Sequence, residues 1–337
     1  MTEFSISKNK LWLLGFSIAI FSVAAILLFS INRESKKSIS SEKILTNKLA
    51  KDISGNNIAS KKQIKILFVG DMMFDRYIRE AAAKYGKGDY GYVFGQMKDK
   101  LAGYDLVVGN LEGPITDKNS VSVGTAMDEK ENLKFTFDPS VAKTLFENNI
   151  KLVSIGNNHI LNQSEDGVIK TKKYLDEAGV EYFGDAGTDK SSTLVRVING
   201  IRLGFVNYNY SIAGSFEKAI GDIKNIRAQV DIVVVCPHWG TEFKIGDPGQ
   251  KIRAEAYQLI DAGADAIIGT HPHVIQLSET YKGKKIYYSL GNFIFDQYFQ
   301  KETMEGLGVE VLINPDRTMG YNELKFEMNK KGQTVLK

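Results

Sequence analysis

Short apolar runs that end in a glycine followed by polar side chains recur along this 337-residue chain. The clearest run is Ala266 to Ile268, after which come Gly269 and then the sequence His271-Pro272-His273. A short apolar run of this kind is typical of a buried strand. Proline disfavours a helical backbone at the residue before it. The pattern therefore predicts buried strands whose carboxyl ends carry chemically active side chains on rigid turns.

Amphipathic helical stretches lie between the predicted strands. The strands are predicted at 64–69, 106–108, 152–155, 202–207, 231–236, 266–268, 286–290, 308–313 and 324–328. The helices are predicted at 75–85, 139–149, 165–178 and 250–262. Strands that alternate with helices favour an α/β layered fold. Residues 63–337 are thus predicted to form one globular domain.

The first 62 residues are predicted to be organised differently. Residues 11–31 form an uncharged apolar run, which as a helix would span roughly 30 Å, the thickness of a bilayer core. We interpret this run as an uncleaved transmembrane signal anchor after a short tail, 1–10. Residues 32–62 are rich in lysine and serine and are interpreted as a polar tether. The lysines on both sides of the run leave the membrane orientation open.

Charge and cysteine content exclude some classes of function. The chain carries 43 basic and 40 acidic residues, a formal charge of +3. Residues 1–31 contribute +1 and residues 32–62 contribute +5, so residues 63–337 carry −3. A domain without excess positive charge does not favour nucleic-acid binding. Cys236 is the single cysteine, so no internal disulfide can form.

The side chains at the predicted strand ends suit a metal ion. They are carboxylates, amides and all four histidines of the chain: Asp71, Asn110, Glu112, Asn158, His159, His238, His271, His273 and Asn292. Any one histidine alone is more often an ordinary core or surface residue. Because ligands bind beyond the carboxyl ends of strands in α/β sheets, we expect these side chains to share one site. Their oxygen and nitrogen donors suit Mn, Zn, Fe, Mg or Ca, in one or two positions.

A series of motifs carries a resemblance to a known family. The motifs are Gly70-Asp71-Met72-Met73 with Arg76, Gly109-Asn110-Leu111-Glu112-Gly113-Pro114, Ser154-Ile155-Gly156-Asn157-Asn158-His159, Tyr182-Phe183-Gly184-Asp185-Ala186-Gly187, Pro237-His238-Trp239-Gly240-Thr241-Glu242, Gly269-Thr270-His271-Pro272-His273 and Ser289-Leu290-Gly291-Asn292-Phe293. In this order they resemble the CapA-type family of bacterial capsule-synthesis proteins, which is linked to poly-γ-glutamate.

The resemblance implies a fold similar to that of calcineurin-like metallophosphoesterases, a sandwich of two β-sheets flanked by helices. It also implies a metal site built from strand-end residues. The expected ligands are Asp71, Asn110, Glu112, Asn158, His238, His271 and His273. The expected catalytic residues are His159 beside the leaving group, Glu112 as ligand or general base, and Arg76 as an anion clamp. Arg76 could equally be an ordinary exposed helix charge.

The chain departs from the phosphoesterase pattern at two positions. Met73 stands where those enzymes have a histidine ligand, and Asn110 stands where they have a bridging aspartate. Glu112 is expected to compensate for the missing carboxylate. Because they follow the strand on a turn, His271 and His273 are expected at the mouth of the site, outside the core.

Two functions of different classes follow from the resemblance and the site. The first is a membrane-anchored protein of capsule synthesis or export, whose metal site binds or processes a polyanionic amide polymer. The second is a metal-dependent phosphoesterase at the cell surface, and a third possibility is a structural site only. The expected partners are the membrane, other capsule-synthesis membrane proteins and the polymer, and no nucleic acid. The globular domain is expected to be extracellular, held by a single span of the cell membrane.

Overall fold

The structure of the chain, a computed structural model, describes residues 62–184 and 193–337. The predicted anchor at 11–31 and all but the last residue of the predicted tether lie outside these ranges. Within the two described ranges, no helix is both long enough and apolar enough to cross a membrane. The compact unit that contains both ranges runs from Lys61 to Lys337.

Strands and helices alternate through most of the described residues. The strands are β1 (Ile64–Met72), β2 (Leu106–Leu111), β3 (Ile150–Ser154), β4 (Glu181–Phe183), β5 (Thr193–Ile198), β6 (Ile201–Asn209), β7 (Ile232–His238), β8 (Ala266–Ile268), β9 (Ser278–Tyr281), β10 (Lys284–Tyr287), β11 (Asn292–Ile294), β12 (Glu305–Ile313), β13 (Met319–Met328) and β14 (Thr334–Leu336). The helices are α1 (Arg76–Tyr85), α2 (Lys98–Ala102), α3 (Ser140–Glu147), α4 (Ser164–Ala178), α5 (Ser215–Arg227) and α6 (Gln250–Asp261).

The strands form two mixed sheets. The first has the order β14-β13-β12-β1-β2-β3-β4, with β11 paired in parallel to the end of β1. The second has the order β5-β6-β7-β8-β10-β9. The strands β1 to β4 run parallel to one another, as do β6, β7, β8 and β10. In each sheet the carboxyl ends of these parallel strands therefore meet at one edge.

Alternating side chains divide each sheet between two apolar layers. From β1, Ile66 and Phe68 enter a cluster shared with the second sheet, whereas Leu67 and Val69 enter a cluster that includes residues of α1, α3 and α4. The outer face of the second sheet packs against α5 and α6 in a third cluster. The fold is a sandwich of two β-sheets flanked by helices, as the sequence predicts.

Several elements differ from the prediction. Helix α5 (Ser215–Arg227) was not predicted, although Phe216, Ala219, Ile223 and Ile226 recur at the spacing of an amphipathic helix. The edge strands β5 and β9 alternate between half-buried and exposed residues, so they lack a continuous apolar run. Strand β7 extends two residues further than predicted, and His238 is its last residue.

Candidate metal centre

A close approach of two strands sets the position of Asp71. A Cβ atom at Gly70 would lie 1.8 Å from the backbone oxygen of Gly291, so only glycine fits there. The backbone N–H of Asp71 then donates to this same oxygen at 3.1 Å. Strand β2 lies on the other side, and Asn110 is directly opposite Asp71. Asp71 is held by two strands at the end of the first sheet, with no exposed surface.

The carboxylate of Asp71 is surrounded by donors. It accepts hydrogen bonds from Asn110 Nδ2 at 2.8 Å and from the backbone N–H of His271 at 3.2 Å. His273 Nδ1 lies 3.4 Å from its Oδ2. Burial alone would raise the pKa of Asp71, but the hydrogen bond and charge of His273, the charge of His238 and the amide of Asn110 outweigh it and hold the pKa well below its ordinary value. Asp71 is therefore an anion in the site.

Asp71, Glu112 and His238 form the centre of the site. Each offers one ligand atom, and these atoms lie within 4.8 Å of one another. All three side chains are buried. Two carboxylates and an imidazole at this separation match the donor types that Mn, Fe and Zn accept. The three residues come from the ends of β1, β2 and β7, so both sheets contribute.

The surroundings of Glu112 show most clearly that the site fits a cation. Its side chain is fully buried at 0% exposure, yet neither carboxylate oxygen makes a hydrogen bond to any described residue. Burial and the neighbouring charge of Asp71 raise its pKa well above the ordinary value. An uncompensated buried carboxylate is destabilising unless it is protonated or paired. A divalent ion between Glu112, Asp71 and His238 would remove this penalty, so the residues fit such an ion.

The imidazole of His273 is oriented towards Glu112. Asn292 donates from Nδ2 to the backbone oxygen of Thr303 at 2.9 Å, which turns its Oδ1 towards His273 Nδ1 at 3.0 Å. Because this oxygen can only accept, Nδ1 of His273 carries the proton. The lone pair of Nε2 then faces Glu112 Oε1 at 3.4 Å. An amide carbonyl that orients a ligating histidine in this way is common around protein metal sites.

His238 and His271 lie edge to edge. Nε2 of His238 is 2.8 Å from Asn158 Oδ1 and 3.1 Å from Nδ1 of His271. Burial, together with the charge of His271, lowers the pKa of His238 well below its ordinary value. Burial and the charge of His273 lower the pKa of His271 to about 4. Both rings are neutral at neutral pH, the form in which imidazole binds a metal.

The turn that carries His271 and His273 is strained. Their φ angles are 104° and 58°, in a region that residues with a side chain rarely adopt. Strain of this kind is concentrated at functional sites. The prediction that both rings lie at the mouth of the site is wrong for His273, which is 2% exposed and packs 4.7 Å from the ring of Phe295. The turn that carries both histidines folds back over the end of β1, so the ring of His273 points inward.

The amides of the site form a connected chain. Asn110 donates to Asp71, and its Oδ1 accepts from Asn157 Nδ2 at 3.1 Å. Asn157 also donates to the backbone oxygen of Leu111 at 2.8 Å. Asn158, its neighbour, reaches His238. Asn110 thus directs its nitrogen towards Asp71, while Asn158 directs its oxygen into the site. The role of Asn157 was not predicted, although Asn157 directly precedes the predicted ligand Asn158 and has the same side chain.

His159 lies at the edge of the centre. Its Nε2 is 3.9 Å from Glu112 Oε1, and its ring stacks on Phe135 at 4.3 Å. Asn162 accepts the backbone N–H of Phe135 at 2.8 Å with the same Oδ1 that lies 3.1 Å from His159 Nδ1. Nδ1 therefore carries the proton, and Nε2 presents a lone pair. Burial lowers the pKa of His159 to about 4. Asn162 is a further site residue that sequence reasoning missed.

Arg76 is near the centre but already paired. Its guanidinium donates to Asn132 Oδ1 at 2.9 Å and to Asp296. It also lies over the rings of Phe135 and Phe295, with its central carbon 5.1 and 5.5 Å from their centroids. Asp296 additionally accepts the backbone N–H of the second residue of α1 at 3.1 Å. Arg76 is thus not the exposed helix charge that the sequence also allowed.

Met73 lies away from any ligand position. Its side chain is fully buried in the apolar cluster beneath the helices. Its Sδ accepts the backbone N–H of Asp75 at 3.0 Å. The position that the phosphoesterase pattern gives to a histidine ligand is therefore filled by a core thioether.

A cavity of about 610 Å³ opens beside the centre. His159 and His273 form its inner end, and Phe135 and Phe295 form apolar walls. Glu242, Phe243 and Phe299 also line it, and the ring of Phe243 lies 6.0 Å from that of His273. A volume of this size suits a small molecule or the end of a polymer chain. The centre therefore faces a space that a ligand can enter.

Fold and site together define an α/β two-sheet sandwich with a buried acid–histidine cluster where the sheets meet. Residues 65–297 match the family described as "Bacterial capsule synthesis protein PGA_cap". This match covers more than half of the chain and includes every residue of the centre. The chain belongs to this family, as the motifs predict.

Two curated relatives are similar to most of the globular domain. The "Capsule biosynthesis protein CapA" of Bacillus anthracis is 30% identical over 256 residues, which are 70% of this chain and 61% of that protein. The "PGA biosynthesis protein CapA" of Bacillus subtilis (strain 168) is 32% identical over 250 residues, 68% of this chain and 63% of that protein. The chain thus matches little more than three fifths of the length of these relatives.

One solved structure is similar to this chain at a low level. A phosphatase from Mycoplasma pneumoniae aligns with a TM-score of 0.47 and 16% identity, over 78% of this chain and 93% of that one. The family assignment does not depend on this alignment.

Proposed function

We propose that this chain is a membrane-anchored protein of poly-γ-glutamate capsule synthesis or export, whose buried centre binds a divalent metal ion and processes an amide-linked acidic polymer. Family membership supports the capsule role. The observation that carries the metal role is Glu112, a fully buried carboxylate whose two oxygens lack hydrogen bonds within the described residues. We further propose that the domain is extracellular and that other capsule-synthesis membrane proteins are its partners.

In this proposal the ion is held by Asp71, Glu112, His238 and His273, with Asn158 and His271 completing the set. Asn110, which the sequence also predicts as a ligand, donates to Asp71 and accepts from Asn157, so it orients Asp71 instead. A bound divalent ion would polarise a carbonyl or phosphoryl oxygen of the ligand. Asn292 holds His273 with its Nε2 lone pair towards Glu112, which pre-organises the donors. The ligand-binding cost of ordering these side chains is therefore small.

His159 has the proton role in this proposal. Its neutral ring is fixed by Asn162 so that Nε2 can accept a proton at the inner end of the cavity. This Nε2 atom lies 3.9 Å from Glu112 Oε1, so the proton acceptor stands beside a proposed ligand of the ion. Arg76 borders the cavity, but with its charge committed to Asp296 it acts as a wall more than as an anion clamp.

The test is metal content and substrate turnover of the full chain, comparing wild type with Glu112→Gln. The amide keeps the shape of the side chain but removes the negative charge that an ion requires. We expect wild type to retain close to one or two equivalents of Mn, Zn or Fe after gentle purification and Glu112→Gln to lose most of it. Hydrolysis of a γ-glutamyl peptide should fall at least about tenfold, the range typical for loss of one acid–base or ligand group.

The control variant is Glu177→Gln, which changes an exposed carboxylate on α4 outside the cavity. It should retain both metal and turnover. Absence of metal from wild type would contradict the proposal. Rapid hydrolysis of a phosphodiester such as bis(p-nitrophenyl) phosphate, with no activity on the γ-glutamyl peptide, would instead support the cell-surface phosphoesterase that the sequence also allowed.

A further inference from the structure

We propose that the cavity beside the metal centre selects a ligand end that carries an ammonium group, so that the centre meets the amino-terminal residue of an amide-linked acidic chain. The inference rests on the proposed function and names the substrate end that this function requires. Three neighbouring residues form the proposed ammonium subsite: Glu242, Phe243 and Phe299. All three line the cavity, and the rings of Phe243 and Phe299 are in contact.

The balance of charge in the cavity disfavours an anionic group. Among the described residues that line it, Arg76 is the only cation, and its guanidinium is bonded to Asp296 and Asn132. The carboxylates of Glu80 and Glu242 remain, and both residues are exposed. Once the Arg76–Asp296 pair is set aside, the lining carries two negative charges and no positive one. A polyanion entering this space would meet repulsion, whereas a cation would be attracted.

The aromatic rings supply the second part of an ammonium site. Phe243 and Phe299 meet edge to face, with their centroids 5.2 Å apart. They are 37% and 45% exposed, so part of each ring is accessible to a ligand. Ring faces attract cations through their quadrupole, and ammonium ligands are commonly bound by an aromatic ring beside a carboxylate. Glu242 directly precedes Phe243 and provides that carboxylate.

The subsite is connected to the centre. The ring of Phe243 lies 6.0 Å from that of His273, whose Nε2 faces Glu112. At the inner end, the buried ring of His159 presents an Nε2 that makes no hydrogen bond to any described residue. A ligand whose ammonium lies between Phe243 and Phe299 would extend its next polar group towards these atoms.

This arrangement distinguishes one end of an acidic polymer from its interior. In a γ-linked glutamyl chain every internal residue carries an uncompensated carboxylate. The amino-terminal residue carries an ammonium as well, so its net charge is zero. The acidic lining would therefore admit this residue and exclude internal ones. The site would act at, or hold, the amino-terminal end of the polymer.

The experiment compares two probes on the full-length, manganese-loaded protein in detergent by titration calorimetry. The probes are γ-linked tri-glutamate with a free amino terminus and the same peptide acetylated at that terminus. We expect the peptide with the free amine to bind about tenfold more tightly than the acetylated peptide. One cation–aromatic contact and one contact with a carboxylate together provide a difference of this size. The preference should weaken as the pH rises through the pKa of the terminal amine, because the deprotonated amine carries no charge.

Two variants test the assigned residues. Glu242→Gln and Phe243→Ala should each reduce the preference to about twofold or less, whereas Glu177→Gln on α4 should leave it unchanged. Equal or tighter binding of the acetylated peptide, an unchanged preference in Glu242→Gln, or binding of neither peptide would overturn the inference. Manganese content, measured on the same samples, separates the two proposals. Loaded protein that does not discriminate overturns only the ammonium subsite, and protein that takes up no metal overturns the proposed function.

Discussion

At the scale of single residues, the site combines groups that would each be costly in an ordinary core. Glu112 is buried without a hydrogen bond to any described residue, and His238, His159 and His271 are held in their neutral forms by burial. A protein that needed only stability would replace such groups with apolar side chains. Their presence together at one point, on a turn with two left-handed histidine backbones, is characteristic of a functional site.

The depressed pKa of His159 predicts a pH dependence of stability in the metal-free protein. The pKa of His159 is about 4 in the folded protein, whereas the unfolded chain has the ordinary histidine value of 6.5. Between these two pH values the unfolded chain therefore binds more protons. The contribution of the neutral His159 ring to the free energy of unfolding is therefore fully present above pH 6.5, and it is lost as the pH falls towards 4. From pH 7 to pH 5 this one histidine should lower the free energy of unfolding by roughly 2 kcal/mol.

Urea unfolding of chelator-treated protein at pH 7 and pH 5 measures this loss, with His159→Gln as the comparison. The variant has no imidazole to protonate at this position, so its stability should fall less over the same interval. Parallel losses in both proteins would show that the burial of His159 does not control this part of the pH dependence.

At the residue scale, the sequence identified the groups with recognisable metal chemistry but not the groups that orient them. Asp71, Glu112 and His238 are predicted because acids and imidazoles that directly follow buried strands are typical metal ligands. Asn157 and Asn162 have no such signature, because asparagine is common in turns. Their roles depend on which backbone N–H or carbonyl lies beside each amide, and that is decided by contacts distant in the chain.

At the scale of the elements, strand ends position the site through very close backbone packing. β1 and β11 approach so closely at Gly70 that a methyl group there would lie 1.8 Å from the backbone oxygen of Gly291. The next residue, Asp71, pairs with Asn292 across the same two strands. The sequence predicts glycines before the site residues as turn formers, but at this position the reason is contact between strands.

Gly70→Ala should therefore weaken both the fold and the site. The new methyl group must displace backbone, which costs on the order of 1–3 kcal/mol or more, and the shift would move Asp71 out of line with Glu112. We expect a lower melting temperature and reduced metal content, measured by calorimetry and elemental analysis.

The matched control for this substitution is Gly221→Ala. Gly221 lies within α5, and a Cβ atom there would meet nothing within 4 Å. Alanine is favoured over glycine in a helix interior, so this variant should gain up to about 1 kcal/mol. Equal melting temperatures for Gly70→Ala and wild type would show that β1 and β11 can separate without cost.

At the scale of the whole molecule, the centre exists because two sheets meet at their carboxyl edges. The first sheet contributes Asp71 and Glu112, and the second contributes His238 with the turn that follows β8. The cavity lies beside this junction and is lined by segments far apart in sequence. Access to the centre is therefore set by how the described domain folds, whereas the predicted membrane anchor belongs to the segment before it.

Membrane attachment of the full chain remains a prediction from the sequence. The uncharged run at 11–31 should hold the full-length protein in membranes through carbonate and high-salt washes, since its apolar surface suits the bilayer core. A chain that begins at Lys61 should remain in the soluble fraction. The measurement is the distribution of each protein between pellet and supernatant, and release of the full-length protein by carbonate would contradict the anchor.

The sequence by itself determined the class of fold, the family and which acids, amides and histidines are candidate ligands. These depend on local periodicity and on motifs in which a strand is followed directly by a polar turn, and both are properties of adjacent residues. Only the tertiary structure decided that His273 points inward, that Arg76 is paired with Asp296, and that the oxygens of Glu112 make no hydrogen bond to any described residue. The physical reason is that burial and pairing depend on atoms brought together from distant parts of the chain. The pattern of adjacent residues does not specify these contacts.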